Sequence, residues 1–148
     1  FFADCKNFAQ WSHSLMQKNV VKAWHYHHIQ IDWWYIMGGQ VQIALYDNRQ
    51  ESPTYKNKIL LLMGDSFEFG PETKEICLKI PPGVLHGCKV LSKEAHLFYI
   101  TSQTYSPEEE GRIPYNAKEI DHDWGSDAIV ADNDKKYFAP TSKRELIT

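Results

Sequence analysis

Short runs of alternating apolar and polar residues occur along most of the chain. In the clearest run, Val41, Ile43 and Leu45 alternate with small or polar neighbours, and the run ends at the turn-forming residues 47–49. Successive side chains of a β-strand point to opposite faces, so this alternation predicts a half-buried strand. Six further runs, rich in β-branched and aromatic residues, predict short strands at 20–25, 33–37, 59–63, 76–80, 88–91 and 96–101.

Turn-forming residues separate these runs and indicate the class of fold. Gly38-Gly39 lies between two predicted strands and predicts a hairpin, because glycine reaches the positive φ of tight turns. Many short strands, without a long segment of 3.6-residue period, predict an all-β sandwich or barrel. After Pro107 the composition turns polar, and we expect loops there with at most a short helix around Ser142–Leu146.

Composition and charge restrict the function further. The 148 residues are 43% hydrophobic, which is typical of one globular domain over 1–148 with a sizeable core. The net charge of −3 provides no basic surface for nucleic acid or an anionic membrane. Three cysteines without C-x-x-C spacing favour a reducing compartment, and no apolar run has the roughly 20 residues of a membrane span. We therefore expect a cytoplasmic protein, and the start without Met predicts that the chain is the interior of a longer polypeptide.

A group of histidines with one carboxylate is the main candidate for chemistry. His25 and His27 lie two residues apart on a predicted strand, so their side chains point to the same face. Asp32 follows five residues later, and His86 comes directly after the turn and short run at 81–85. Neutral imidazoles and a carboxylate are ligands for Fe, Mn, Ni or Zn, and such sites keep open positions for a substrate.

The spacing of these residues resembles the two-motif signature of the cupin barrels. The first motif is His-x-His, four residues, an acid, six residues and Gly, and the second is Pro-x-Gly-x-x-His. Asp32 stands where cupins usually carry Glu. The resemblance implies an alternative in which His25, His27, Asp32 and His86 bind one divalent transition metal.

A longer resemblance, from Phe8 to about Pro140, is to the dTDP-4-dehydrorhamnose 3,5-epimerase family, itself a cupin barrel. The sequence Y-D-N-R-Q-E-S-P-T-Y at 46–55 resembles the family's V-D-x-R-x-x-S-P-T-F, and I-P-P-G-V-L-H-G at 80–87 resembles its I-P-P-G-x-A-H-G-F. Further matching segments lie at 8–14, 22–27, 105–108, 123–124 and 129–134. The family implies a jelly-roll barrel, or double-stranded β-helix, with a polar, partly helical C-terminal segment. It also implies that the full family domain has N-terminal strands before the first residue of this chain.

The family inverts carbons beside the C4 ketone of a nucleotide-linked 4-keto-6-deoxy sugar, without a metal or other cofactor. A carbon-bound proton is removed, and the resulting enolate is protonated again. By resemblance, His25 is the base and Asp134 is the carboxylate that fixes its tautomer. Tyr99 falls at the family's catalytic tyrosine, which returns the proton on the opposite face.

The resemblance also implies which residues contact the nucleotide-linked sugar. His86 would line the sugar pocket, and Tyr105 would stack on the nucleotide base. The full implied substrate-binding set is Gln10, Lys22, His27, Asp32, His86 and Tyr105.

Three positions depart from the family pattern. Asp32 stands where the family has its enolate-stabilising Lys, Lys22 replaces a phosphate-binding Arg, and His27 replaces a Gln. A carboxylate would repel the developing oxyanion that the Lys stabilises. Three hypotheses follow: an epimerase or isomerase of altered specificity, a metal-dependent cupin enzyme, or an inactive protein that binds sugar nucleotides. The first hypothesis treats His25 as a free base, and the second treats it as a metal ligand. These two roles exclude each other, because a metal-bound nitrogen cannot accept a proton.

Large aromatic residues and the family resemblance predict the assembly. Trp11, Trp24, Trp33 and Trp34 are too many for one small barrel to bury entirely. Exposed strand edges are also normally covered. We therefore expect a homodimer joined through its β-sheets, as the family forms.

Overall fold

A computed structural model describes residues 9–142, which form two facing β-sheets. The strands are β1 Gln10–Gln17, β2 Val20–His27, β3 Asp32–Gly38, β4 Gln40–Asp47, β5 Lys58–Gly64, β6 Thr73–Lys74, β7 Leu78–Ile80, β8 Val84–Val90, β9 Glu94–Thr101, β10 Glu110–Arg112 and β11 Ile129–Val130. The helical segments are α1 Ser66–Phe69 and a 3₁₀ helix at Asp132–Lys135. The predicted all-β fold is confirmed. The helix expected around Ser142–Leu146 falls almost entirely outside the described residues.

The two sheets differ in size and contribute different parts of the site. The smaller sheet has the strand order β1-β9-β3-β7, and the larger has the order β10-β2-β8-β4-β5-β6, with β11 added in parallel to β2. In the larger sheet, antiparallel pairing of β2 with β8 places His25 opposite His86. Asp32 begins β3 of the smaller sheet, so the predicted group of polar residues spans both sheets.

Strand β4 of the larger sheet has buried side chains on both of its faces. Val41 and Ile43 of β4 belong to the core between the sheets, whereas Ala44 and Tyr46 belong to a second apolar cluster. That second cluster includes Trp124 and other side chains from the segment after β10. The strand predicted here is confirmed, but its expected half-burial is wrong, because the polar C-terminal segment folds back over the face expected to meet solvent.

The predicted hairpin at Gly38-Gly39 is also wrong. The strands on either side, β3 and β4, lie in different sheets and do not pair with each other. Gly39 does have a positive φ of 80°, and a Cβ atom there would lie 2.2 Å from the carbonyl oxygen of Glu94. Only glycine fits this close approach, so the pair marks a crossing between sheets rather than a tight turn.

Some elements were not predicted from the hydrophobic pattern. Strand β1 carries serine, histidine and glutamine among its apolar residues, yet it pairs along its full length with β9. The short strands β10 and β11 lie in the polar region expected to be loop. Among the described residues, we find no helix with the length and apolar content needed to span a membrane.

Candidate active site

A cavity of about 530 Å³ is lined by all nine residues that the sequence singled out. These residues are Gln10, Lys22, His25, His27, Asp32, His86, Tyr99, Tyr105 and Asp134. They come from both sheets, from the segment after β9 and from the 3₁₀ helix near the C-terminal end. Tertiary folding thus brings the predicted set together around one cavity.

His25 and Asp134 form a hydrogen-bonded pair on the cavity wall. The distance from His25 Nε2 to Asp134 Oδ1 is 2.8 Å, and the Asp134 side chain is only 3% exposed. Asp132, the other acid nearby, is instead exposed and pairs with Lys135. The predicted hydrogen bond between His25 and Asp134 is therefore present. It leaves Nδ1 of His25 as the ring nitrogen available to a substrate proton.

Asp134 has further partners that keep it ionised. Its Oδ2 accepts a hydrogen bond from the Ala23 backbone amide at 3.3 Å, and its Oδ1 pairs with the Arg112 guanidinium. Burial alone would raise the pKa of this carboxyl, but the hydrogen bond and charge of His25, together with Arg112, hold the pKa below its usual range. An ionised carboxylate can orient the His25 ring and stabilise its protonated form.

Arg112 is a site residue that the sequence reasoning missed. Strand β10 pairs with β2 in a register that sets Arg112 opposite His25. Its Nε lies 2.7 Å from Glu110 Oε1, so its charge is shared between Glu110 and Asp134. The residue lies in a polar stretch without apolar alternation, and neither motif contains it. No signal in the sequence distinguishes it from a surface arginine.

A second cluster consists of His27, Asp32 and His86. Asp32 Oδ2 lies 3.5 Å from His27 Nε2 and 3.8 Å from His86 Nε2. One donor atom from each residue falls within 4.8 Å of the other two. Gln30 and Trp34, also missed from the sequence, donate hydrogen bonds to Asp32.

The electrostatics of this second cluster favour an ionised Asp32 and a neutral His86. Burial would raise the pKa of Asp32, but the nearby His27 and His86 imidazoles and the Gln30 amide hold it below its usual range. Burial lowers the pKa of His86 to about 3, against the opposing charge of Asp32. A neutral ring carries one N–H, and His86 Nδ1 lies 3.1 Å from the carbonyl oxygen of Val84. The proton therefore belongs on Nδ1, and Nε2 presents a lone pair towards Asp32.

The geometry corrects the four-ligand metal set predicted from the cupin motifs. Three of the four residues come together, but His25 is not part of their group. The His25 ring is instead oriented by its hydrogen bond to Asp134.

The remaining predicted residues lie around the cavity with partners of their own. Lys22 Nζ donates to Ser14 Oγ at 2.8 Å, and the Gln10 side chain accepts a hydrogen bond from the backbone amide of Tyr105 at 3.0 Å. The Tyr105 ring is 65% exposed, while Tyr99 is half-buried against the core. An exposed aromatic ring beside an exposed cavity is suited to stacking on a planar ligand group.

The two facing sheets around one cavity place the chain in the cupin class of β-barrel proteins. The chain belongs to the dTDP-4-dehydrorhamnose 3,5-epimerase family, whose model matches residues 2–140. This is a family of sugar-nucleotide epimerases, which are isomerases.

Individual relatives agree with this assignment. The chain is 34% identical to the spore coat polysaccharide biosynthesis protein SpsL of Bacillus subtilis over 125 residues, which are 82% of this chain and 78% of that protein. It is 32% identical to the probable low-salt glycan biosynthesis epimerase Agl13 of Haloferax volcanii, over 78% of this chain and 72% of that protein. A crystal structure of the epimerase RmlC from Legionella pneumophila, in complex with dTDP-4-keto-L-rhamnose, matches with a TM-score of 0.74 and 27% identity, covering 86% of this chain and 66% of that one.

Proposed function

We propose that this protein epimerises a carbon beside the C4 ketone of a dTDP-linked 4-keto-6-deoxy sugar. The observation that carries the proposal is the His25–Asp134 hydrogen bond on the wall of a cavity open to a substrate. Removing a proton beside a ketone requires a base with a pKa near neutrality, and an imidazole oriented by a carboxylate is suited to that task. The family membership and the ligand of the Legionella pneumophila relative support the substrate class.

The proposed reaction has two proton transfers. His25 takes the proton from the carbon beside the ketone, and the electron pair of the C–H bond moves onto the C4 oxygen as an enolate. A proton from the opposite face then returns to the same carbon, so the carbon is inverted and the ketone is restored. We assign the returning proton to the hydroxyl of Tyr99, which lines the same cavity from β9 of the facing sheet.

The other cavity residues are proposed to hold the nucleotide and the sugar. Lys22 provides a cation for a phosphate group, although an ammonium lacks the two-pronged geometry of the arginine that the family carries there. Gln10 orients the Tyr105 backbone through its side chain, and the Tyr105 ring stacks on the base. His86 forms part of the sugar pocket.

Deuterium incorporation tests the proposed function. In heavy water, the wild-type protein given dTDP-4-keto-6-deoxyglucose should place deuterium at a carbon beside the ketone, which NMR would detect at C3, C5 or both. Binding of the nucleotide sugar without any exchange above the protein-free rate would contradict the proposal and favour an inactive binding protein.

We also propose that the protein is a homodimer joined through the smaller sheet. The outward face of that sheet exposes Trp11, Leu15, Tyr35 and Met37, with exposed fractions between 40% and 63%. The expectation that the tryptophans would be too many for one barrel to bury holds only for Trp11. The other three, Trp24, Trp33 and Trp34, are buried within one protomer. A face with this many apolar side chains is typical of an interface.

Sedimentation measures the assembly directly. At tens of micromolar, the wild type should sediment as a dimer, and Met37→Lys should shift it towards monomer by placing a charge in the apolar face. Phe67→Lys is the matched control, because Phe67 is 99% exposed on α1 beside the larger sheet. A monomeric wild type, or equal effects of the two variants, would count against this interface.

A further inference from the structure

The two histidine–carboxylate clusters of the cavity are separate, and each has its own carboxylate. His25 is hydrogen-bonded to Asp134, while His27 and His86 both face Asp32. The His27, Asp32 and His86 cluster, which we call the triad, is not required to orient the proposed base. Its chemistry must therefore be explained on its own.

The separations within the triad are longer than ordinary hydrogen bonds and match those of metal ligands. The two contacts between Asp32 Oδ2 and the imidazole nitrogens measure 3.5 and 3.8 Å. Hydrogen bonds between nitrogen and oxygen are usually about 2.7–3.2 Å long. Two ligand atoms that each lie about 2.1 Å from a tetrahedral ion are about 3.4 Å apart. The three donor atoms are thus spaced to surround one small cation.

The outer contacts of the triad also match those of a metal centre. His86 Nδ1 is hydrogen-bonded to the Val84 carbonyl, which directs the Nε2 lone pair towards the cluster. Asp32 Oδ1 accepts a hydrogen bond of 2.6 Å from Gln30, and Trp34 donates to Oδ2 at 3.3 Å. Ligating histidines and carboxylates are characteristically fixed by such secondary hydrogen bonds.

Charge and burial point to the same conclusion. The side chains of Asp32 and His86 are 5% and 3% exposed, and that of His27 is 12% exposed. A buried carboxylate is costly without a positive partner. Within the triad the partner of Asp32 is the His27 imidazole at 3.5 Å, whereas Lys22 donates to Ser14 and Arg112 pairs with Glu110 and Asp134.

We infer that His27, Asp32 and His86 bind one divalent transition-metal ion, with its remaining positions open to the cavity. Two imidazoles and one carboxylate suit the Fe, Co, Ni and Zn group better than Mg or Ca, which prefer oxygen ligands alone. The ion would not compete with catalysis by His25, because His25 lies outside the triad. A free base and a bound metal are therefore compatible in this protein.

The site itself does not depend on the proposed epimerisation, but its role in the reaction does. Enolate formation places negative charge on the C4 oxygen, and an ion at the triad would supply the positive charge that a lysine at position 32 supplies in the resemblance. Asp32 would then be the residue that binds the replacement cation, rather than a group that repels the enolate.

Metal binding without substrate tests the site. The full chain, dialysed against a chelator, is titrated with Zn²⁺ by calorimetry and with Co²⁺ by visible absorption. We expect one equivalent to bind and no comparable binding of Mg²⁺. His27→Gln and Asp32→Asn should each weaken binding at least a hundredfold, and His27→Gln introduces the residue that the resemblance places there.

Two further variants locate the site. His28→Gln is the matched control, because His28 is the exposed neighbour of His27, and it should leave binding unchanged. His25→Ala should also bind the ion normally, since His25 is not a triad member. Absence of one-to-one binding, or equal affinity in the wild type and Asp32→Asn, would overturn the site. A large loss of affinity in His25→Ala would overturn the three-ligand assignment.

The role of the ion is tested separately by proton exchange. Exchange by the wild type should fall at least a hundredfold after chelation and recover with one equivalent of metal. Stoichiometric binding combined with chelator-resistant exchange would overturn the role in enolate stabilisation but not the site. Because binding is measured without sugar, failure of the metal site and failure of the proposed epimerisation give different results.

Discussion

Replacing His25 with alanine is expected to reduce proton exchange on the 4-keto sugar by about a thousandfold. The imidazole is the group proposed to remove the carbon-bound proton, and its contact with a carboxylate, 2.8 Å to Asp134, is shorter than the 3.5 and 3.8 Å from His27 and His86 to Asp32. The variant should fold, because Asp134 keeps its contacts with Arg112 and the Ala23 amide. The measurement is deuterium incorporation by NMR, with thermal unfolding as the check on the fold.

Two companion variants separate the base from its partners. Tyr99→Phe should retain exchange but lose net inversion, because the proton would leave and return on the same face. His28→Gln should retain both the proton exchange and the net inversion of the carbon. If His25→Ala exchanged deuterium at the wild-type rate, the proposed base would be wrong, whatever the metal content of the protein.

Replacing Asp47 with alanine is expected to destabilise the fold by about 1–3 kcal/mol at neutral pH. The Asp47 carboxylate is nearly buried and accepts hydrogen bonds from the Arg49 backbone and guanidinium, from Ser52 and from Thr54. Its removal would leave Arg49, Ser52 and Thr54 without their shared acceptor and loosen the loop after β4. Urea unfolding at pH 7 measures the difference in the free energy of unfolding.

The pH dependence of this contribution follows from the pKa of Asp47. Hydrogen bonds from Arg49 hold the pKa of Asp47 far below its usual range. Burial would raise this pKa, but the hydrogen bonds from Arg49, Ser52 and Thr54 together outweigh that effect. A carboxyl with a depressed pKa stabilises the fold at pH values above its unfolded pKa of about 4, and this stabilisation is lost as the pH falls below that value. The difference between the wild type and Asp47→Ala should therefore be full above about pH 5 and shrink progressively below about pH 4.

Asp132→Asn is the control for a general effect of removing a carboxylate. Asp132 is 86% exposed and pairs with the Lys135 side chain on the surface, so its loss should leave stability nearly unchanged. An equal effect of the two substitutions, or an Asp47→Ala effect that does not shrink in acid, would contradict the proposed network. The expected result would show that the segment at 47–54, which resembles a family motif, contributes to the stability of the fold.

Local patterns in the sequence were sufficient to predict the class of fold and part of the site. The enrichment in β-branched and aromatic residues along strands such as β2, β3 and β9 depends only on neighbouring residues, so it can be read without knowing what each strand contacts. The spacing of His25 and His27 follows from the same two-residue period. The role of Asp134 came from resemblance alone, because nothing within the segment 129–134 indicates a contact with β2.

Tertiary structure decided how the polar residues divide into two clusters. Asp32 lies in the smaller sheet and meets His27 and His86 of the larger sheet only because the two sheets face each other. The C-terminal segment covers the larger sheet and brings Asp134 to His25, which removes His25 from the predicted metal set. Arg112 enters the site through strand pairing in a region without hydrophobic alternation. Such contacts join residues that are distant in the chain, and their geometry depends on how the sheets pack, which periodicity along one strand does not encode.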